Sequence, residues 1–363
     1  MTDLTYKYEL KGKRTKRLLR RHAWACNQVW NFCVQTQKKV QRNRYDGLRG
    51  KWLNFYALKA LTTGVSQELK IHAQTVQNVV EQFIKSRDQH KKCPRFRKSG
   101  GSKRSLGWVP FQTQARQITS NSVTYLKHTM HFFGAKRRPL PESAKGGAFV
   151  QDARGRWYVC FHVEVPNDRY SGIGEVGLDL GLKSLAVTSD GDHIEAPQYY
   201  RKLEAKLAKA QRAGNRDLAR AISAKIKNQR LDHLHKFSTK LIQKYGTIYV
   251  GDVSSSKLAK TKMAKSVLDA GWSMLRSMLR YKASRHGVKF AEIEEKFTTQ
   301  RCSCCGNIPG SSPKGLNALG IREWECSTCG AIHDRDVNAA KNILILGRSA
   351  APLVEESQVA HGR

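Results

Sequence analysis

From Thr5 to Leu10 the chain alternates (Thr-Tyr-Lys-Tyr-Glu-Leu), which predicts one strand with a single buried face. The period then lengthens. Between Lys16 and about Ser86, Leu19, Ala23, Cys26, Asn27, Trp30 and Val34 share one helical face, and Val76, Val79, Val80 and Phe83 share another. Arg17, Arg20, Arg21, Lys38, Lys39 and Arg42 fall on the remaining faces. Lys91 to Arg104 is a basic tract punctuated by glycine, serine and proline, the composition of a linker. Short alternating runs follow to about Pro166, clearest in Val123–Leu126 and Trp157–Val163, and suit a small antiparallel barrel. The early strand completes that barrel, which makes the helical block an insertion into it.

A third pattern begins near Gly174. Val176 to Gly181 predicts a strand, Ser184 to Thr188 a second after a turn, and His193 to Ala196 a short third. Tyr199 to Tyr245 is helical and basic, folded into a hairpin at Gly214-Asn215. Thr247–Val253 predicts a strand, Ser266–His286 a helix and Val288–Glu295 another strand. A cysteine-rich tract interrupts, and a last helix is expected from about Val337 to Leu346. Three meandering strands followed by helix, strand, helix and strand give the element order of an RNase H-like domain.

Charge changes the picture. The 363 residues include 65 Lys and Arg against 29 acids, a formal net charge of +36. Such a chain repels itself unless a polyanion neutralises it, and nucleic acid is the natural partner because each neutralised phosphate releases a counterion. Any one basic residue reads as part of a solvated face; together they read as a phosphate-tracking surface. The basic residues are spread from Lys11 to Arg348 with no lipidation motif, no apolar run reaches membrane-span length, and Met1-Thr2-Asp3-Leu4 is unlike a signal peptide. A protein without membrane partners, in the cytoplasm or on the nucleoid of a prokaryote, is expected.

Four of the nine cysteines form two knuckles, Cys302-x-x-Cys305 and Cys326-x-x-Cys329, separated by 20 residues. That spacing points to a structural Zn²⁺ site of four thiolates, closed to water. Cys304 reads as a spectator, and Cys26, Cys33, Cys93 and Cys160 are scattered with no disulfide pattern. Next comes Asp334-Arg335-Asp336-Val337-Asn338 at a helix start, where one acid serves as N-cap and the other is free to bind metal. Spacing leaves the two assignments nearly even; Asp334 is assigned the cap, Asp336 the metal, and Asn338 a role in orienting a ligand. Asp179 lies in a predicted central strand, where a carboxylate is costly without a metal or partner, and Gly177 and Gly181 leave room there for a phosphate backbone. Converging carboxylates of this kind are what a pair of Mg²⁺ ions needs to cleave a phosphodiester.

Together, Gly177-Leu178-Asp179-Leu180-Gly181, Thr298-Thr299-Gln300, the two Cys-x-x-Cys-Gly knuckles and Asp334-Arg335-Asp336-Val337-Asn338-Ala339-Ala340 resemble the TnpB family, transposon proteins with a RuvC-like nuclease domain related to type V CRISPR effectors and Fanzors. The resemblance spans the whole chain. It implies a multidomain α+β protein: a β-barrel wedge domain (residues 1–10 and 105–170) with a helical recognition insertion and basic linker (11–104), then a RuvC-like α/β domain (171–295 and 336–363) carrying a zinc-ribbon insert (296–335). It also implies a guide RNA, a double-stranded DNA target recognised beside a short motif, and Mg²⁺-dependent cutting.

One departure stands out. The family's second acid usually ends the strand Tyr249-Val250-Gly251-Asp252-Val253, and the matching position is Gly251. Asp252 is adjacent, but alternation turns it to the opposite face. Members with a rearranged second motif take the glutamate from the following strand, where this chain has Glu292, Glu294 and Glu295; the resemblance favours Glu295, with strand parity matching Ala291 and Ile293. The expected catalytic set is Asp179, Glu295 and Asp336. The alternative, drawn from Gly251, is a nuclease-dead RNA-guided DNA-binding protein.

Overall fold

The computed structural model describes the chain except residues 43–51, 102, 113–114, 117, 135, 145, 169–171, 254–263, 315–319 and 360–363, and gives only the backbone at 115–116, 264 and 351–359. The expected boundary between residues 170 and 171 lies outside the described residues. The chain divides into two compact units, Asp3–Val165 and Pro166–Arg363, the second joined by Met1–Thr2.

In the first unit, β1 (Thr2–Glu9) buries Tyr6 and Tyr8 in alternation. α1 (Lys13–Arg42) buries Leu19, Ala23, Cys26, Trp30 and Val34 at helical spacing. The rest of the expected helical block is broken into α2 (Phe55–Leu61), the single turn α3 (Val65–Glu68) and α4 (Ala73–His90). Gly64 at φ 84° and the Asn54 and His72 N-caps mark those breaks. Trp30 of α1 meets Phe83 of α4 edge-on at 5.5 Å. The tract after α4 is anchored to α1: Asn31 both donates to and accepts from the Arg97 backbone (2.9 and 2.7 Å), and the Arg97 guanidinium stacks 3.7 Å from the Trp30 ring.

The expected barrel strands form two sheets. β2 (Trp108–Phe111), β6 (Gly146–Gln151) and β7 (Trp157–Val165) extend β1 in the order β1-β7-β6-β2. β3 (Ala115–Arg116), β4 (Ser122–Tyr125) and β5 (His128–His131) make the other sheet. An antiparallel bridge from Leu10 to Phe132 links the two. Phe111, Tyr125, Phe132, Phe149 and Phe161 fill the interior, each fully buried or nearly so.

The second unit follows the expected element order: β8 (Glu175–Asp179), β9 (Ser184–Thr188), β10 (His193–Glu195), α5 (Tyr199–Arg212), α6 (Arg216–Lys244), β11 (Thr247–Gly251), α7 (Ala264–Ala270), α8 (Trp272–His286), β12 (Lys289–Ile293), β13 (Glu323–Glu325), β14 (Ile332–Asp334) and α9 (Arg335–Val359). The large sheet runs β10-β9-β8-β11-β12; β8, β9 and β10 are antiparallel, whereas β11 lies parallel to both β8 and β12. Gly214 (φ 64°) and the Asn215 cap turn α5 into α6 as expected. The helix expected over 266–286 is instead divided at Gly271 (φ 73°), where a Cβ would press on Met274 and Arg230.

Strand parity sorts the faces of this sheet. Val176, Leu178, Ile248 and Val250 pack toward α6 and α8, in a core with Leu234, Leu241, Leu275 and Leu279. Gly177 and Tyr249 take the other face, against α9. A Cβ at Gly177 would overlap Ala340 O and stand 2.7 Å from Leu344 N, and one at Gly347 would press into the Tyr249 ring. Gly177 therefore admits a helix backbone rather than a phosphate backbone, and Gly181 serves a tight turn in which a Cβ would stand 2.9 Å from Ser184 O. Both corrections have one cause: strand periodicity cannot say what lies over a strand.

Candidate active site

Asp179 ends β8 and Gly251 ends β11, the parallel neighbour, so both lie at the same edge of the sheet and on the α9 face. Asp336 stands in the first turn of α9, where the helix dipole favours a negative charge. Asp334 is the cap: its Oδ1 accepts from Asp336 N at 2.9 Å and Val337 N at 2.8 Å. Asp336 is left free of capping, and its Oδ2 takes a 2.7 Å hydrogen bond from Arg322.

Glu295 follows β12 and is held by a turn rather than by strand pairing, because β12 stops at Ile293. Strand parity is thus not what aims it. Its carbonyl accepts from Thr298 N (3.2 Å) and Thr298 Oγ1 (3.0 Å), with Phe297 at φ 64°. The side chain folds over Gly251. A Cβ at that glycine would overlap Glu295 Oε1 and lie 2.5 Å from its Cδ. The carboxyl group of Glu295 thus occupies the space that a side chain on β11 would fill. The other two glutamates go elsewhere: Glu292 pairs with Arg276 (3.6 Å) and Arg280, and Glu294 is exposed. Asp252 is exposed as well, with its amide bonded to Ile293 O at 2.9 Å.

Electrostatics tie the acids together. Burial pushes the Asp179 carboxyl up to about 7, the Asp336 charge adds to the rise, and Arg335 and Arg322 oppose it. Burial also pushes Glu295 up to about 8, reinforced by Asp179 and then Asp252 and opposed by Arg276. The charge of Asp336 thus disfavours ionisation of Asp179, and that of Asp179 disfavours ionisation of Glu295, a repulsion that a divalent cation relieves. Glu295 Oε1 is buried and has no hydrogen-bond partner among the described residues. A buried carboxylate oxygen without a donor is costly unless a cation completes it. Asp179, Glu295 and Asp336 are a hard oxygen set that fits such an ion.

The four knuckle thiols also converge, all within 4.8 Å of one another. Cys302 Sγ lies 3.6 Å from Cys329 Sγ, and Cys305 Sγ 3.8 Å from Cys326 Sγ. A tetrahedron with metal–sulfur bonds of about 2.3 Å has edges of about 3.8 Å, so the donors fit a tetrahedral ion. His333 Nε2 lies 3.0 Å from Cys302 Sγ, and Trp324 packs against the His333 ring at 4.9 Å. Sequence reasoning missed His333, Arg322 and Asn342; the signal for the first was a histidine four residues after Cys329. Asn338, expected to orient a ligand, instead donates to Arg301 O in the turn before the first knuckle and accepts from Ser303 N within that knuckle.

In the first unit, the start of α1 and the β4–β5 turn enclose a cavity of about 720 Å³ lined by Arg14, Arg17, Arg21, Lys127 and His128. Its lining bears out a concentration of positive charge that single-residue patterns could only suggest. Among the described residues no helix is long and apolar enough to cross a membrane.

Two family descriptions match the chain: "Cas12f1-like, TNB domain" over residues 272–343 and "Probable transposase" over residues 158–262. A protein of Streptomyces pristinaespiralis named "Putative RNA-guided DNA endonuclease" is 32% identical over 332 residues, 87% of this chain and 80% of that one. The Escherichia coli K12 protein named "Putative RNA-guided DNA endonuclease InsQ" is 26% identical over 383 residues, 95% of this chain and 92% of that one. Among solved structures, Cas12f1 in its complex with sgRNA and target DNA has a TM-score of 0.59 at 13% identity, covering 92% of this chain and 83% of that one, a likeness of fold. With the Streptomyces relative matched over most of both lengths, this chain belongs to the TnpB family, whose curated members include proteins named RNA-guided DNA endonuclease.

Proposed function

We propose that this chain is an RNA-guided DNA endonuclease which binds a guide RNA and cuts double-stranded DNA beside a short motif. The observation that carries the reading is the Glu295 carboxyl group: buried, unpartnered at Oε1, and lying over Gly251 beside Asp179. Asp179, Glu295 and Asp336 would hold two Mg²⁺ ions. When bound, these ions stabilise the attacking and leaving oxygens of in-line phosphodiester displacement. Arg322, bonded to Asp336, fixes the orientation of that carboxylate at the start of α9. Cys302, Cys305, Cys326 and Cys329 would hold a structural Zn²⁺ with no open position.

The same reading assigns residues 1–10 and 105–170 to a wedge barrel, 11–104 to recognition, 171–295 and 336–363 to a RuvC-like nuclease and 296–335 to a zinc-ribbon insert that grips target nucleic acid. The net charge of +36 suits a chain saturated with guide RNA in the cytoplasm or on the nucleoid. The nuclease-dead alternative draws its support from Gly251, and the Glu295 carboxyl group fills the space beside that glycine.

The test is purification with co-expressed transposon-end RNA, followed by incubation with a plasmid library of randomised flanks and Mg²⁺. Cutting beside one enriched motif, lost in Glu295→Ala while guide and target binding persist, is the expected result. Wild-type protein that binds guide and target yet never cuts would favour the nuclease-dead reading.

A further inference from the structure

Between Glu295 and the first knuckle runs a turn of six residues, Lys296 to Arg301. Two of its carbonyls, those of Thr298 and Arg301, point at α9. Asn342 Nδ2 donates to Thr298 O at 2.8 Å and to Arg301 O at 2.7 Å. One turn earlier on the helix, Asn338 Nδ2 donates to Arg301 O at 2.8 Å, while its Oδ1 accepts from Ser303 N at 2.9 Å. Both asparagines are 1% exposed, and Thr298 is 2% exposed. Two primary amides buried in a helix interior are costly unless fully used, and here each is used against the same short segment.

The segment joins the two candidate metal centres. At one end, the Thr298 amide and hydroxyl both hold the Glu295 carbonyl. At the other, the Ser303 amide lies between knuckle residues Cys302 and Cys305. The helix that carries the asparagines has Asp336 in its first turn, and the face bearing Asp336, continued by Ala340 and Leu344, packs Gly177 of β8, two residues before Asp179. A second tie runs from the ribbon: Arg322 bonds to Asp336 through its side chain and accepts from Arg335 N through its carbonyl, both at 2.7 Å.

We propose that Asn338 and Asn342 form a clasp that positions Glu295 for the divalent cation at the carboxylates and mechanically joins that site to the four-thiolate ribbon. They are positioning residues, touching neither metal. The need for a clasp follows from the relocated acid. A glutamate at the end of β11 would be aimed by strand pairing, whereas Glu295 lies beyond the end of β12 and depends on its turn. Partners of this outer kind alter metal affinity by about 10–100-fold when removed.

The inference rests on the reading of Asp179, Glu295 and Asp336 as metal ligands, and the test separates the two. Mn²⁺ binding to the zinc-loaded full chain is followed by electron paramagnetic resonance in wild type, Asn342→Asp, Glu295→Ala and the double variant. Asn342→Asp keeps the shape but loses both N–H donors and faces two carbonyls with a charge; Asn338→Ser replaces it should that chain fail to fold. Expected are zinc retained at one per chain, Mn²⁺ Kd raised about 10-fold or more by the asparagine variant, and no further rise when it is added to Glu295→Ala. That non-additivity marks action through Glu295 and would not arise from general loosening. The clasp is overturned if the asparagine variant binds Mn²⁺ as wild type does, loses zinc alone, or multiplies the Glu295→Ala defect. Should Glu295→Ala itself bind Mn²⁺ like wild type, the ligand reading falls first and the clasp with it.

Discussion

Replacing Glu295 with glutamine in metal-free, zinc-loaded protein should stabilise the nuclease sheet at pH 9 relative to pH 5. Burial and the Asp179 charge hold this carboxyl at about 8 against an ordinary value of 4.5. An acid whose folded pKa is raised binds its proton more tightly when folded. Its contribution is complete below pH 4.5 and is lost as pH rises through 8. The shift is 8 − 4.5, or 3.5, and at about 1.4 kcal/mol per unit the ceiling is ~5 kcal/mol. The side chain is not wholly enclosed and water relaxes part of the cost, so ~2 kcal/mol is the working figure. Glutamine keeps the shape and cannot ionise, so its stability should lack this pH-dependent loss. The variant's gain over wild type should therefore grow by ~2 kcal/mol between pH 5 and pH 9. Urea titrations followed by hydrogen exchange at the β8 and β11 amides read the sheet itself. Saturating Mg²⁺ at pH 9 should stabilise wild type more than Glu295→Gln, because only the former offers the ion all three carboxylates. A pH-independent difference between the two proteins would refute the reasoning, as would equal stabilisation of both by Mg²⁺.

Gly251→Ala should cut DNA at least ~10²-fold more slowly, since its Cβ claims the space of Glu295 Oε1 and even small misplacement of a reacting group is that costly; single-turnover cleavage with guide and target in excess checks this, and Gly251→Glu should restore part of the activity lost in Glu295→Ala. Asp252→Ala should retain cutting and shift its pH profile toward lower pH, because Asp252 is one of the charges that raises Glu295. Cys326→Ser should lower zinc content below one per chain, measured by atomic emission, and reduce the soluble yield. Gly177→Ala should destabilise the second unit by ~1–3 kcal/mol in urea, since its methyl group would overlap the backbone of α9 at Ala340.

Much of this protein was legible in order along the chain. Alternation found β1 and β7, helical spacing found the buried stripe of α1, and the order of elements from Gly174 onward matched the sheet and helices that form. Spacing paired the knuckle cysteines, because ligands on short Cys-x-x-Cys turns are brought together locally. Other features were illegible for a physical reason. Glycine-containing β6 lacks a strong alternating signal, and the break at Gly271 depends on Met274 and Arg230 pressing where a Cβ would be. Gly177 read as space for a phosphate, yet a helix more than 150 residues later fills it. Local pattern alone could not choose among Glu292, Glu294 and Glu295, since their difference is which one meets arginines, which meets solvent and which folds over Gly251. Sequence determines periodicity and local chelation; only tertiary structure decides which distant carboxylates share one low-dielectric pocket, because that depends on contacts between segments that no local pattern encodes.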